Sequence, residues 1–156
     1  MKKTIYLILI LASFSSCSKD EGQNLFIDEI SGAYNITSLT ITKPDLITDS
    51  ITLINAGEFV FEDCNIKKKK GQQIFCPGYY ILNNEPKFNF KYNKIVRFNE
   101  EFLQIASSDS PIVNDFIVFN SYILEERTER RLALKAIAAV GLQGRLYKIK
   151  MILERK

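Results

Sequence analysis

From residue 31 to its end the chain runs in short β-branched and aromatic stretches broken by turn residues, with no clear alternation of helical and extended patterns. Residues 31–41 (SGAYNITSLTI) form the first stretch, stopped by Pro44 and Asp45. Residues 46–54 form the second, closed by the turn signal Asn55-Ala56-Gly57. Residues 58–64 and 72–82 follow as strands. Residues 87–92 and 94–99 read as a short hairpin around Asn93, with 102–106 continuing its second strand. Residues 115–124, 131–140 and 145–154 complete the series. Eleven Phe and seven Tyr add to the strand preference. Many short strands at turn-marked intervals indicate an all-β sandwich or barrel. Residues 130–142 (RRLALKAIAAVGL) fit two descriptions. Ala and Leu favour helix, whereas alternation of Leu132, Leu134, Ala136 and Ala138 between flanking strands favours strand, which is the expectation here.

Cys64 and Cys76 lie six residues either side of Lys70. A hairpin folded there puts Cys64 opposite Cys76, Val60 opposite Tyr80 and Phe61 opposite Tyr79. Cross-strand Cβ atoms about 4.5–5.5 Å apart are close to what a disulfide requires. In that register Phe59, Phe61, Phe75, Tyr79 and Ile81 share one face, and Val60, Cys64, Ile74, Cys76, Tyr80 and Leu82 the other. Pro77 has no ladder N–H, so it marks an edge, a bulge or a strand start. Lys67–Lys70 form the tip, either a solvated turn or a cation patch for anionic lipid or polysaccharide.

The amino terminus has a different character. Lys2 and Lys3 precede an eleven-residue apolar run, residues 4–14 (TIYLILILASF), followed by Ser15, Ser16 and Cys17. A charged start, an apolar core and a small-residue exit describe a secretory signal peptide, residues 1–16. The run is too short for a bilayer span, about 16 Å against a core of about 30 Å. Its removal leaves 140 of the 156 residues, one domain of ordinary size. Without Lys2 and Lys3, nineteen of the 21 basic residues remain against 18 acids, so no charge excess argues for a nucleic-acid partner. In an exported chain Cys64 and Cys76 pair by default, reduced thiols being the alternative.

Phe14-Ser15-Ser16-Cys17 resembles the lipobox of bacterial lipoproteins, with Phe14 in place of the usual aliphatic residue. That resemblance implies cleavage before Cys17, a diacylglyceryl group on its sulfur and acylation of the new terminus, with fatty acids such as palmitate. Several acyl chains hold a protein firmly where one binds reversibly. An ordinary signal peptide with a chance cysteine is the plainer reading. Cys17-Ser18-Lys19-Asp20-Glu21 is similar to the surface-export signal of Bacteroidota lipoproteins. It implies an outer-membrane, lipid-anchored, cell-surface location, the periplasmic face being the alternative. Residues 17–29 then serve as lipidated cysteine and linker, and 30–156 as the folded domain. Asp49-Ser50-Ile51 resembles the O-glycosylation tripeptide of the same organisms, with Ser50 as acceptor.

The domain itself resembles the lipocalin-like domains of small Bacteroidota lipoproteins. Gly32 and Tyr34 stand where lipocalins carry Gly-x-Trp, and Arg155, late in the last strand, stands where they place an arginine over that ring. The resemblance implies an antiparallel up-and-down barrel of about eight strands, closed by the Tyr34–Arg155 pair. Such a barrel encloses a small ligand or is filled by its own side chains. Residues Phe59, Phe61, Tyr79, Phe88, Phe90, Phe119 and Tyr147 are the pocket-lining candidates, and plain core is the commoner role for such aromatics.

Catalytic chemistry finds little support. The chain has no His, the commonest general base and transition-metal ligand, and two cysteines alone make no zinc site. It contains no Gly-x-Ser-x-Gly elbow or phosphate loop. Acid pairs at 28–29, 62–63, 100–101 and 125–126 are adjacent, and adjacent strand residues point to opposite faces. The expectation is a non-enzymatic lipoprotein without metal or cofactor. It binds a small apolar or amphiphilic ligand, or docks with a filled core on an outer-membrane protein assembly.

Overall fold

The computed structural model describes residues 19–42, 50–64, 75–83, 85–107, 117, 120–136, 139–140 and 146–156. Among them a helix, α1 (Lys19–Ile30), precedes β1 (Gly32–Thr42), β2 (Ser50–Phe61), β3 (Cys76–Leu82), β4 (Phe88–Arg97), β5 (Glu100–Ser107), β6 (Asn120–Arg127), β7 (Arg131–Ala136), β8 (Ala139–Val140) and β9 (Leu146–Arg155). β1 to β7 pair antiparallel in chain order, β7 pairs with β9, and β9 closes onto β1. β8 continues β7 along β9 after a one-residue register change, from Lys135↔Lys150 to Ala139↔Tyr147. The fold is therefore all-β, an eight-stranded antiparallel up-and-down barrel. The described parts of 130–142 are strand. Eight strands leave an interior just wide enough for side chains.

Period-two alternation sends Tyr34, Ile36, Phe59, Phe61, Phe90, Tyr92, Leu103, Ile105, Leu132, Leu134, Met151 and Leu153 into the core. Three local readings need correction. Asn55-Ala56-Gly57 is not a turn between strands but a bulge inside β2, where Asn55 and Ala56 oppose Thr37 alone. Positive φ at Asn55 (50°) and Gly57 (138°) serves a bulge as well as a turn. Asn93 is not a hairpin tip. It lies within β4, and the turn falls at Phe98-Asn99, with φ of 52° and 64°. Residues 23–29, read as a linker, lie in a helix whose Phe26, Ile27 and Ile30 are buried, so packing begins before residue 30.

The hairpin register differs by one residue. Phe59 pairs with Tyr80, Val60 with Tyr79 and Phe61 with Gly78. A one-residue slip exchanges the two faces of a strand, so Tyr80 enters the core and Tyr79 leaves it. Cys64 and Cys76 nevertheless form a disulfide, with Cα atoms 5.5 Å apart. It sits beyond the last β2–β3 pair, where the Glu62 N–H still donates to the Pro77 carbonyl at 3.1 Å. Pro77 lies in β3 opposite Lys91 of β4.

The barrel has two unlike ends. At one, α1 packs against the start of β1, the end of β9 and the β4–β5 and β6–β7 hairpins. At the other, far end lie Thr42, Ser50, Phe88 and Ser107, the strand ends away from α1. Cys17, Phe119 and Lys67–Lys70 lie outside the described residues.

Candidate functional site

The interior is an aromatic stack. Phe59 lies 4.9 Å from Phe61, 5.7 Å from Tyr80 and 4.8 Å from Phe90, centroid to centroid. Phe61 meets Tyr92 edge-on at 5.0 Å and Tyr34 at 6.0 Å. Each such pair adds about 0.5–1.5 kcal/mol beyond the burial of its area. Of the seven pocket candidates, Phe59, Phe61 and Phe90 are buried in this stack. Phe88 stacks on Tyr80 at 5.2 Å and is half-buried at the far rim, as is Tyr147. Tyr79 is on the outside, its hydroxyl donating to Glu58 Oε1 at 3.3 Å and Lys87 Nζ lying 3.7 Å over its ring. Tyr80 and Tyr92 are among the interior aromatics that sequence reasoning missed. The missing signal was the hairpin register in the first case and the continuity of β4 in the second.

Three phenols are held inside by backbone partners, Tyr122 among them, its hydroxyl donating to the Ile117 carbonyl at 2.7 Å. The Tyr92 hydroxyl donates to the Glu62 carbonyl at 2.7 Å, and burial pushes its pKa up to about 12. The Tyr34 hydroxyl donates to the Ile30 carbonyl at 2.9 Å and accepts from Arg155 Nη2 at 3.0 Å. Burial raises its pKa, partly offset by the Arg155 hydrogen bond and charge.

Arg155 is the register partner of Tyr34 and lies 5.4 Å over its ring. Its Nη2 also donates to the carbonyls of Ser31 (2.5 Å) and Glu29 (3.2 Å). It therefore stitches β9 to β1 and places a cation at the C-terminus of α1, where exposed carbonyls favour one. Gly32, at φ +141°, leaves room for this guanidinium: a Cβ there would approach Arg155 Nε to 3.2 Å. On the other side of α1, Lys94 Nζ and Arg127 Cζ each lie 5.5 Å from the Phe26 ring centroid. Arg127 bridges Glu29 at 3.2 Å and Glu101 at 3.6 Å, and Lys94 pairs with Glu101.

Two clefts lined by described residues lie on the outside of the barrel. One runs between α1 and the β6–β7 turn, past Leu25, Glu29, Arg127, Arg130 and Arg155. Another lies over Gly57, Asn83, Glu154 and Lys156. At the far end β2 outruns β3, whose ladder stops at Gly57↔Leu82. Ile51 and Leu53 pair there with Ile41 and Leu39, share their inward face, and remain exposed. Ser50, the glycosylation candidate, is exposed at the start of β2. No group of three or more metal-ligating side chains occurs among the described residues. The chain matches no protein family, no curated protein and no solved structure.

Proposed function

We propose that this protein is a lipid-anchored lipoprotein of the Bacteroidota type its amino terminus resembles. It is held to the outer membrane through Cys17 and carries a non-enzymatic, lipocalin-like barrel that acts as an interaction module. The observation carrying the second half is the packed stack of Phe59, Phe61, Tyr80, Phe90 and Tyr92, which occupies the volume a deep ligand would need. A barrel filled in this way works through its outer surface and its ends.

A second reading has its own support. The exposed inward-facing Ile51 and Leu53, with half-buried Ile41, Phe88 and Tyr147, give the far rim an apolar lining suited to an amphiphilic ligand. Such a ligand would lie across the mouth, above the aromatic stack.

Metabolic labelling with a fatty acid tests the anchor: wild type should incorporate label and Cys17→Ala should not. Equal labelling of both overturns the lipoprotein reading. Native mass spectrometry of protein purified from its host separates the two functions. The interaction module should show only the mass of the processed, acylated chain, whereas a co-purified amphiphile at stoichiometric occupancy favours the rim-binding reading.

A further inference from the structure

At the α1 end the β4–β5 hairpin runs on past the end of the β3 ladder. β3 follows β4 only as far as Cys76↔Tyr92, and the five residues after Tyr92 continue with β5 alone to Arg97↔Glu100. At about 3.4 Å per residue the tip stands roughly 17 Å beyond the last β3 pair. At that tip Phe98 is 98% exposed, and Val96 below it is 60% exposed. Leu25, on the outer side of α1 at the same end, is 62% exposed.

Phe98 is an unusual residue for this place. Both turn residues have positive φ, the conformation of a two-residue hairpin loop that ordinarily selects Asn-Gly. Left-handed φ disfavours bulky side chains. The ring accepts that conformation and touches almost nothing of its own chain. A strained residue with no intramolecular return points to a partner outside the molecule.

Tether length says which partner. α1 begins at Lys19, and Cys17 lies two residues before it. Two residues span at most about 7 Å, and the twelve-residue helix about 18 Å. The helix is fixed to the barrel through Phe26, Ile27 and Ile30. An acyl chain on Cys17 would therefore keep this end of the barrel within about 25 Å of its bilayer.

We propose that the β4–β5 tip, Phe98 with Val96, enters the interfacial layer of the membrane that holds Cys17. Leu25 joins the same contact. This second attachment turns the α1 end toward the lipid and presents the far rim, with Ile51, Leu53 and Ile54, to the surroundings. The inference rests on the lipid-anchored reading above, and its test keeps the two apart.

The chain has no Trp, so a Phe98→Trp variant carries a single indole reporter. The processed, lipidated protein is incorporated into phosphatidylethanolamine–phosphatidylglycerol vesicles. Indole emission at position 98 should move to shorter wavelength and lose intensity when brominated lipids replace ordinary ones. An Ile54→Trp variant, reporting from the opposite end, should keep the emission of a water-exposed indole and resist that quenching. Unshifted emission at position 98 in protein that floats with the vesicles overturns the inference. So does quenching at position 54 instead of 98. A shift at 98 that follows protein concentration without vesicles also overturns it, making the tip a contact between copies. Failure of the anchor reads out separately, as fatty-acid label unchanged by Cys17→Ala.

Discussion

Gly78 shows how tightly one position is specified. It faces the Phe90 ring from the neighbouring strand, and a Cβ built on it would sit 2.4 Å from that ring and 2.7 Å from the Val60 carbonyl oxygen. Overpacking of this kind costs about 1–3 kcal/mol. Gly78→Ala should lower the urea midpoint accordingly with an unchanged slope; a midpoint equal to wild type would mean that Phe90 swings away freely. Asn93 presents the opposite case. It is buried in the middle of β4, and neither Oδ1 nor Nδ2 finds a hydrogen-bond partner among the described residues. A buried amide without partners costs about 1–3 kcal/mol, and Val suits a strand better. Asn93→Val should therefore raise the midpoint, and a fall would reveal a polar contact that the amide makes. Tyr92 makes the fold sensitive to alkaline pH. Its pKa is raised in the folded state to about 12, against an ordinary 10.0. The folded chain thus holds this proton where the unfolded chain loses it. Stability from this group is complete below pH 10 and declines between about pH 10 and 12, by about 1.4 kcal/mol per unit. Denaturation series across that range should show the decline, and Tyr92→Phe should flatten it while lowering stability at neutral pH through loss of the bond to Glu62.

Most strands were legible because alternation over five or more residues has one physical cause, a face that must be buried. What escaped the sequence was decided elsewhere in the molecule. The β2–β3 register was inferred from symmetry about Lys70, but the regular ladder ends at Phe61↔Gly78 and the disulfide lies beyond it. A disulfide constrains two Cα atoms, not the ladder behind them, so Tyr79 and Tyr80 exchanged faces. Asn55-Ala56-Gly57 carries the chemistry of positive φ, and only the length of β1 alongside distinguishes bulge from turn. α1 has just three buried apolar residues, Phe26, Ile27 and Ile30, and they matter because the barrel end needs a lid. No window of its own sequence announces that. Ile27→Ala should accordingly lose about 2–5 kcal/mol, as for any fully buried aliphatic, whereas Leu25→Ala, two residues away on the exposed side of the helix, should stay within about 0.5 kcal/mol. Equal, small losses in urea titrations of both variants would show that α1 is a passenger rather than a lid.

The barrel exists only when the two extremes of the chain meet. β1 and β9 are more than a hundred residues apart in sequence, yet their ladder runs from Tyr34↔Arg155 to Thr42↔Lys148. Closure removes the free edges that an open sheet would offer to other chains. It also makes folding depend on a contact that must find itself late, because long loops close slowly. Arg155 sits at the point where this seam meets α1, bonding the carbonyls of Glu29 and Ser31 and the hydroxyl of Tyr34. These bonds fasten the lid and the seam together, while β4 and β5 lie on the opposite wall and meet α1 through Lys94, Glu101 and Arg127 instead. Arg155→Met keeps the length of the side chain and removes its donors. It should cost about 1–3 kcal/mol, and the loss should be local. Amide exchange should quicken along β1, β9 and the last turn of α1 before it quickens in β4–β5, since structures open in cooperative parts of unequal stability. Uniform acceleration across all strands would instead mean that the barrel opens only as a whole, with Arg155 contributing to global stability and not to its seam.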